Sequence, residues 1–297
     1  MIQNNNLSPL PWYTTIEQQN HRKSYAYGDV FPLISQPDRF LPFQFVRPTN
    51  ANTNFIMSLQ SLEPGRYFQL VHTQMKTAGM KIIRFPQYGY DVVYYPALYN
   101  VLNLGEIPQG RYMYHYVDYN PDGTVANDCW SEVFTVVKTP MAGYMTLEWW
   151  DDQNLYFENG VLVYDGAYKN RQYICADIGK PDYLFEEDGE NRDGFFFPEK
   201  QLSEKQYTFT FIAPEYMCDA MRLIRLSDHK RVICNGITYN CDTFLMTVKW
   251  QTQGNYAAVT VEFETDTVVK KIGSGYIPTQ GNFNNDFNDD FNDDFNN

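Results

Sequence analysis

Arg111-Tyr112-Met113-Tyr114-His115-Tyr116-Val117-Asp118-Tyr119-Asn120-Pro121-Asp122-Gly123-Thr124 decides the fold class. The run Tyr112–Val117 is rich in aromatic and β-branched residues, which suit a half-buried pleated surface. The next residues form a turn with a mechanism. Pro121 presets φ for a type I turn, and Gly123 takes the positive φ that follows. The stretch therefore predicts a hairpin, joining the strand Tyr112–Val117 to the strand Trp130–Val137.

The same grammar extends outward. Pro64-Gly65-Arg66-Tyr67-Phe68-Gln69-Leu70 and Pro108-Gln109-Gly110-Arg111-Tyr112-Met113-Tyr114 echo each other, each setting a Pro/Gly turn before an aromatic strand. Residues 51–138 then read as a β-sandwich of immunoglobulin or fibronectin type. Thr139-Pro140-Met141-Ala142-Gly143 breaks the pattern and marks a boundary. Beyond it, 141–275 reads as a second β-sandwich-like domain, with Tyr144–Trp150 as strand. Tight hairpins are expected at Asn159-Gly160 and Asn235-Gly236, and strands at Tyr207–Phe211, Phe244–Trp250 and Ala257–Thr265. The apolar-free run from Glu186 to Gly194 predicts an exposed loop.

One helix is expected over 214–227, packed on the sheet. Pro214 suits a first helical position, Glu215 and Asp219 lie near the positive end of the dipole, and Met217, Met221 and Ile224 share a face. Residues 1–50 are rich in Pro, Asn and Gln and read as an extended arm or edge segments. Trp12, Tyr25, Tyr27, Phe31 and Phe40 are its expected anchors.

Composition agrees with a mostly β chain: of 297 residues 17% are aromatic, with 24 Tyr and 21 Phe. The net charge of −13 and pI near 4.7 repel phosphate backbones, so nucleic acid is not expected as a partner. Five of the negatives, Asp286, Asp289, Asp290, Asp293 and Asp294, sit at the end of the chain, where Phe-Asn-x-Asp repeats through Phe283, Phe287, Phe291 and Phe295. Asn and Asp are weak helix formers and like charges repel, so 276–297 reads as a disordered acidic tail. Its four Phe are candidate docking residues for a basic, grooved partner; an inert solubilising tail is the alternative. Met1-Ile2-Gln3-Asn4-Asn5-Asn6 lacks the pattern of a signal peptide, and no stretch suits membrane insertion. The chain is expected to be made and kept in a cytoplasm unless it leaves inside an assembly.

Motifs for chemistry are missing. Asp118-Tyr119-Asn120-Pro121-Asp122-Gly123 matches the first half of a calcium loop, but Cys129 stands where the bidentate acid belongs, and the hairpin turn explains the same residues. Cys129, Cys175, Cys218, Cys234 and Cys241 follow no metal spacing, and His21, His72, His115 and His229 are scattered. No cofactor, metal or enzymatic activity is expected. Trp12, Trp149 and Trp150 are candidate aromatic contacts, although adjacent strand residues face opposite ways, so at most one of Trp149 and Trp150 can meet a given ligand.

Ala176-Asp177-Ile178-Gly179-Lys180-Pro181, the run from Glu190 to Pro198, the segment Pro214–Asp228 and the end Thr243–Lys271 resemble uncharacterised structural proteins of tailed phages and prophages of gut Bacteroidota. The resemblance covers roughly 140–275 and, more loosely, Pro11-Trp12-Tyr13. It implies a virion component, in the tail or at a tail junction and comparable to distal-tail or tail-tube proteins, contacting other phage structural proteins and itself in a ring. The Phe-Asn-Asp tail is foreign to that pattern. The alternative is a carbohydrate-binding module that attaches a particle or cell to a glycan.

Overall fold

The structure is a computed structural model that describes residues 8–14, 33–36, 41–49, 55–64, 69–77, 79–95, 107–138, 142–156, 162–166, 168–251, 256–265 and 269–272. It is mostly β, with several antiparallel sheets and short helices, as the aromatic strand pattern requires. Two compact units divide it, one holding 1–181 with 206–266, the other 182–205 with 267–297. Of the boundary expected over 139–143, residues 139–141 fall outside the described residues and Ala142-Gly143 form a turn. Residues on both sides of it belong to the first unit, and a single core cluster runs from Leu10 and Phe43 to Val261 and Phe263.

In that unit the strand Gly110–Tyr119 is the spine of a seven-stranded sheet, pairing with Phe55–Ser61 along one edge and with Val125–Ser131 and Phe134–Val136 along the other. Tyr112, Tyr114 and Tyr116 point into the core and are at most 1% exposed. The turn that follows has the expected chemistry. Gly123 sits at φ +85° and its N–H donates to the Asn120 carbonyl at 2.9 Å. Asp122 Oδ1 accepts from Thr124 N at 2.9 Å and Oγ1 at 2.6 Å, which holds the carboxyl below its ordinary range. Of the acids of the half calcium loop, Asp122 thus closes the turn, while Asp118 is buried against Arg47.

The N-terminal segments supply edges. Trp12–Thr14 pairs antiparallel with Val125–Ser131, and Leu33–Ser35 runs parallel to Phe134–Val136. Trp12 is buried, with Phe45 at 4.9 Å and Phe43 at 5.5 Å. Tyr25, Tyr27, Phe31 and Phe40 lie outside the described residues. The arm expected over 1–50 ends in a regular strand, Phe43–Pro48, paired with Tyr90–Tyr95, which in turn pairs with Lys81–Phe85. Arg47 joins this sheet to the seven-stranded one, bonding Asp91 at 3.2 Å and Asp118 at 3.0 Å.

A four-stranded sheet follows the order Asn170–Cys175, Tyr144–Trp150, His229–Cys234, Ile237–Asn240. The Asn235-Gly236 turn has φ of +51° and +79°, the geometry a two-residue hairpin demands. Leu155–Tyr156 and Leu162–Tyr164 pair as expected around Asn159-Gly160, which itself lies outside the described residues. Residues 206–214 pair with Tyr256–Glu264, which pairs with Leu245–Trp250. Phe209, Phe211 and Ala213 face the core between exposed Thr210 and Ile212.

The expected helix is shorter than 214–227. It spans Glu215–Met221 and gives way to a 3-10 turn at Ile224–Leu226, while Pro214 stays extended at the N-cap. Met217, Met221 and Ile224 are buried on one face as read. A further helix, His72–Thr77, was not expected; it has no acidic first turn to announce it.

The second unit corrects another reading. The run 186–194, with no buried residue among those described, forms no loop: Asp182–Arg192 is a strand paired with the strand that begins at Phe195. Asp193 and Gly194, at φ +53° and +82°, make the turn between them. An all-polar run predicts exposure; conformation is set by backbone pairing and by the two-residue turn. Val269–Ile272 pairs with Lys200–Ser203.

Candidate functional site

Two surfaces carry unusual chemistry. The first lies on the four-stranded sheet of the first unit. Alternation along Tyr144–Trp150 sends Trp149 into the core, fully buried, and sets Glu148 and Trp150 on the opposite face. The register places Arg171 and Arg231 on either side of Glu148, and His229 beside Trp150. Glu148 is 2% exposed. Its carboxylate accepts from Arg171 through both Nε, at 2.7 Å, and Nη2, from Arg231 Nη2 at 2.8 Å, and meets Lys169 Nζ at 3.8 Å.

Three cations thus share one carboxylate. Burial alone would push Glu148 up, but Arg171, then Lys169 and Arg231, outweigh it and hold the carboxyl below its ordinary range. Burial also lowers the Lys169 ammonium, and the neighbouring guanidiniums add to this against the pull of Glu148. The cations also crowd Trp150: Lys169 Nζ lies 3.9 Å and Arg231 Cζ 4.6 Å from its ring, and the His229 ring stacks at 4.9 Å. Lys169 and Arg231 keep about a third of their side chains in solvent, 30% and 31%. The face is a half-open cationic platform.

The second surface is the hairpin of the second unit. Tyr183 is 60%, Phe185 72%, Phe195 69% and Phe196 47% exposed. None of the side chains described between 182 and 205 is buried. The hairpin is also acidic, with eight carboxylates in its 24 residues against Arg192, Lys200 and Lys205.

A third arrangement resembles catalytic machinery and lacks its freedom. His115 Nε2 meets Asp128 Oδ1 at 2.7 Å, and its Nδ1 meets Gln60 Nε2 at 3.3 Å. The Gln amide must donate, so Nδ1 accepts and Nε2–H donates to Asp128. Both ring nitrogens are engaged, and the Trp130 ring stacks on the imidazole at 3.7 Å. Burial pushes the Cys218 thiol up to about 11, so it stays protonated near neutrality.

Of the residues singled out in sequence, Trp12 and Trp149 are closed to solvent and Trp150 is half-buried. Phe283, Phe287, Phe291 and Phe295 lie outside the described residues. Sequence reasoning missed the cationic platform, whose members stand at 148, 169, 171 and 231, too scattered for any motif. The hairpin did have a signal, Asp193-Gly194 between Leu184-Phe185 and Phe195-Phe196. Among the described residues no group of His, Cys, Asp and Glu is arranged to hold a metal ion, and no helix is long and apolar enough to cross a membrane. No model of a known protein family matches the chain, and no curated protein matches it.

Proposed function

We propose that the chain is a structural component of a phage particle, in the tail or at a tail junction, that works through protein–protein contacts and not through catalysis. The observation that carries the assembly reading is the 182–205 hairpin, with four large aromatic side chains in solvent and no buried one among those described. A sheet segment that buries none of its described side chains gains little from its own packing in water, and exposed aromatic side chains mark surfaces that another protein covers. The phage attribution rests on the resemblance across 140–275, and Glu190–Pro198, one of the stretches that carries it, lies in this hairpin. Other phage structural proteins are the partners this reading supplies, and a virion is the location.

A glycan-binding role draws less support. A sugar ring needs a bare aromatic face, whereas Trp12 and Trp149 are buried and three neighbours stand within 5 Å of the Trp150 ring. The test is co-expression with the products of the adjacent genes. Phe185→Ser with Phe195→Ser should leave folding unchanged, within about 0.5 kcal/mol as for other surface substitutions, and abolish co-purification. The tail is tested in parallel by changing Phe283, Phe287, Phe291 and Phe295 to Ser. Normal co-purification of the hairpin variant would remove the main support for this reading.

A further inference from the structure

We propose that the acidic hairpin 182–205 docks on the cationic Trp150 platform of a second copy of this chain. The inference rests on the assembly reading above and names its partner. The two surfaces are complementary in charge. The hairpin carries eight carboxylates against three cations, and the platform sets Lys169, Arg171 and Arg231 against two carboxylates, Glu148 and the Asp152 that meets His229 at 2.9 Å beside Trp150. In a chain of net charge −13, a local cationic excess is where an acidic ribbon meets attraction. Aromatic content on both sides adds to this: Tyr183, Phe185 and Phe195 stand in solvent, and Trp150 is half-buried beside Lys169 and Arg231, whose part-exposed cations can meet further rings.

Hairpin-to-hairpin pairing is the obvious rival. It would set Glu186, Glu187, Asp188 and Glu190 of one copy against the same residues of another, and like charges across strands repel. The overall repulsion between two acidic chains does not forbid the contact. At physiological salt, charges more than about 8 Å apart are largely screened, while groups in direct contact are not. Because hairpin and platform are different surfaces, each docking leaves one of each free, so the contact is head to tail and generates a ring or a filament.

The test uses the full chain, with mass followed against concentration by light scattering and sedimentation. Two reversed chains are made, Glu186→Lys/Glu187→Lys/Asp188→Lys in the hairpin and Lys169→Glu/Arg231→Glu on the platform. Wild type should associate, with mass rising with concentration. Each reversed chain alone should stay a monomer, since its two surfaces then share a sign. Mixing the two should restore association, because each now offers what the other lacks. If circular dichroism shows the platform reversal unfolded, Lys169→Gln/Arg231→Gln replaces it, with an expected weakening of about tenfold, the equivalent of 1.4 kcal/mol. A wild type that is monomeric throughout, or reversed chains that associate alone, overturns the proposal. If the wild type is monomeric but hairpin variants still fail to join the products of adjacent genes, self-docking falls and the assembly reading stands. If those variants join normally, both fall.

Discussion

The first unit and the hairpin of the second use the same residue types in opposite ways. In the first, Phe43, Phe45, Tyr95, Tyr114 and Tyr116 are wholly buried and pack ring against ring, as with Phe43 and Tyr114 at 4.7 Å. In the second, Tyr183, Phe185, Phe195 and Phe196 stand in solvent on a ribbon where no described side chain is buried. An aromatic-rich composition is therefore not a measure of core size. The same side chain stabilises a fold where neighbours cover it and leaves a surface waiting for cover where they do not.

The largest loss is expected in the core. Phe45→Ala should lower the stability of the first unit by about 3–5 kcal/mol, through lost burial and the cavity left behind. Denaturant unfolding checks this; a loss as small as that of Phe185→Ser would mean that burial does not separate the two regions. The next effect concerns charge. Arg171→Met should cost about 3 kcal/mol, because removing one partner leaves the Glu148 carboxylate poorly compensated in a buried place.

Acid should act on the same site with a definite sign. Glu148 has a folded pKa below its ordinary 4.5, so its contribution is fully present above that value and fades as pH falls through the depressed one. The advantage of wild type over Glu148→Gln should be flat above pH 4.5 and shrink below it. Asp151, raised chiefly by burial, works the other way, favouring the fold as it takes up a proton.

The smallest effect separates the two hairpins. Gly236 and Gly194 are the second residues of two matched turns, at φ +79° and +82°, and a Cβ at either meets nothing within 4 Å. Ala at either position costs about 1–2 kcal/mol of local backbone strain. Gly236→Ala should lower the main melting transition, since its hairpin carries buried Val232 and Cys234. Gly194→Ala should leave that transition in place and show itself only as faster amide exchange in 182–205. Equal shifts in the melt would mean that the hairpin unfolds with the core.

Much of the fold was legible because the signals were local. Asn120-Pro121-Asp122-Gly123 and Asn235-Gly236 specify turns through their own φ preferences, and Tyr207–Phe211 declares its buried face by alternation alone. What could not be read was long-range. Nothing near Phe43 says that its strand pairs with Tyr90–Tyr95, and nothing near Glu148 says that Arg171 and Arg231 flank it. Residues 186–194 misled for a different reason. Their polarity reports contact with water, which an exposed strand and a loop share. Aromatic character marks Trp149 and Trp150 alike as candidate contacts, although only Trp150 meets solvent.

The edge strands also set a clock for the growing chain. Tyr13 donates to Glu132 across 119 residues of sequence, and Leu33–Ser35 waits for Phe134–Val136. At about 5–20 residues per second, a ribosome needs on the order of ten seconds to deliver those partners. Through that interval Leu10, Trp12 and Leu33, destined for burial, have no sheet to join. The nascent N-terminal segment is then a natural client for a chaperone that holds short apolar stretches, and its runs of Asn, Gln and Pro around those few residues keep it a poor nucleus for aggregation while it waits.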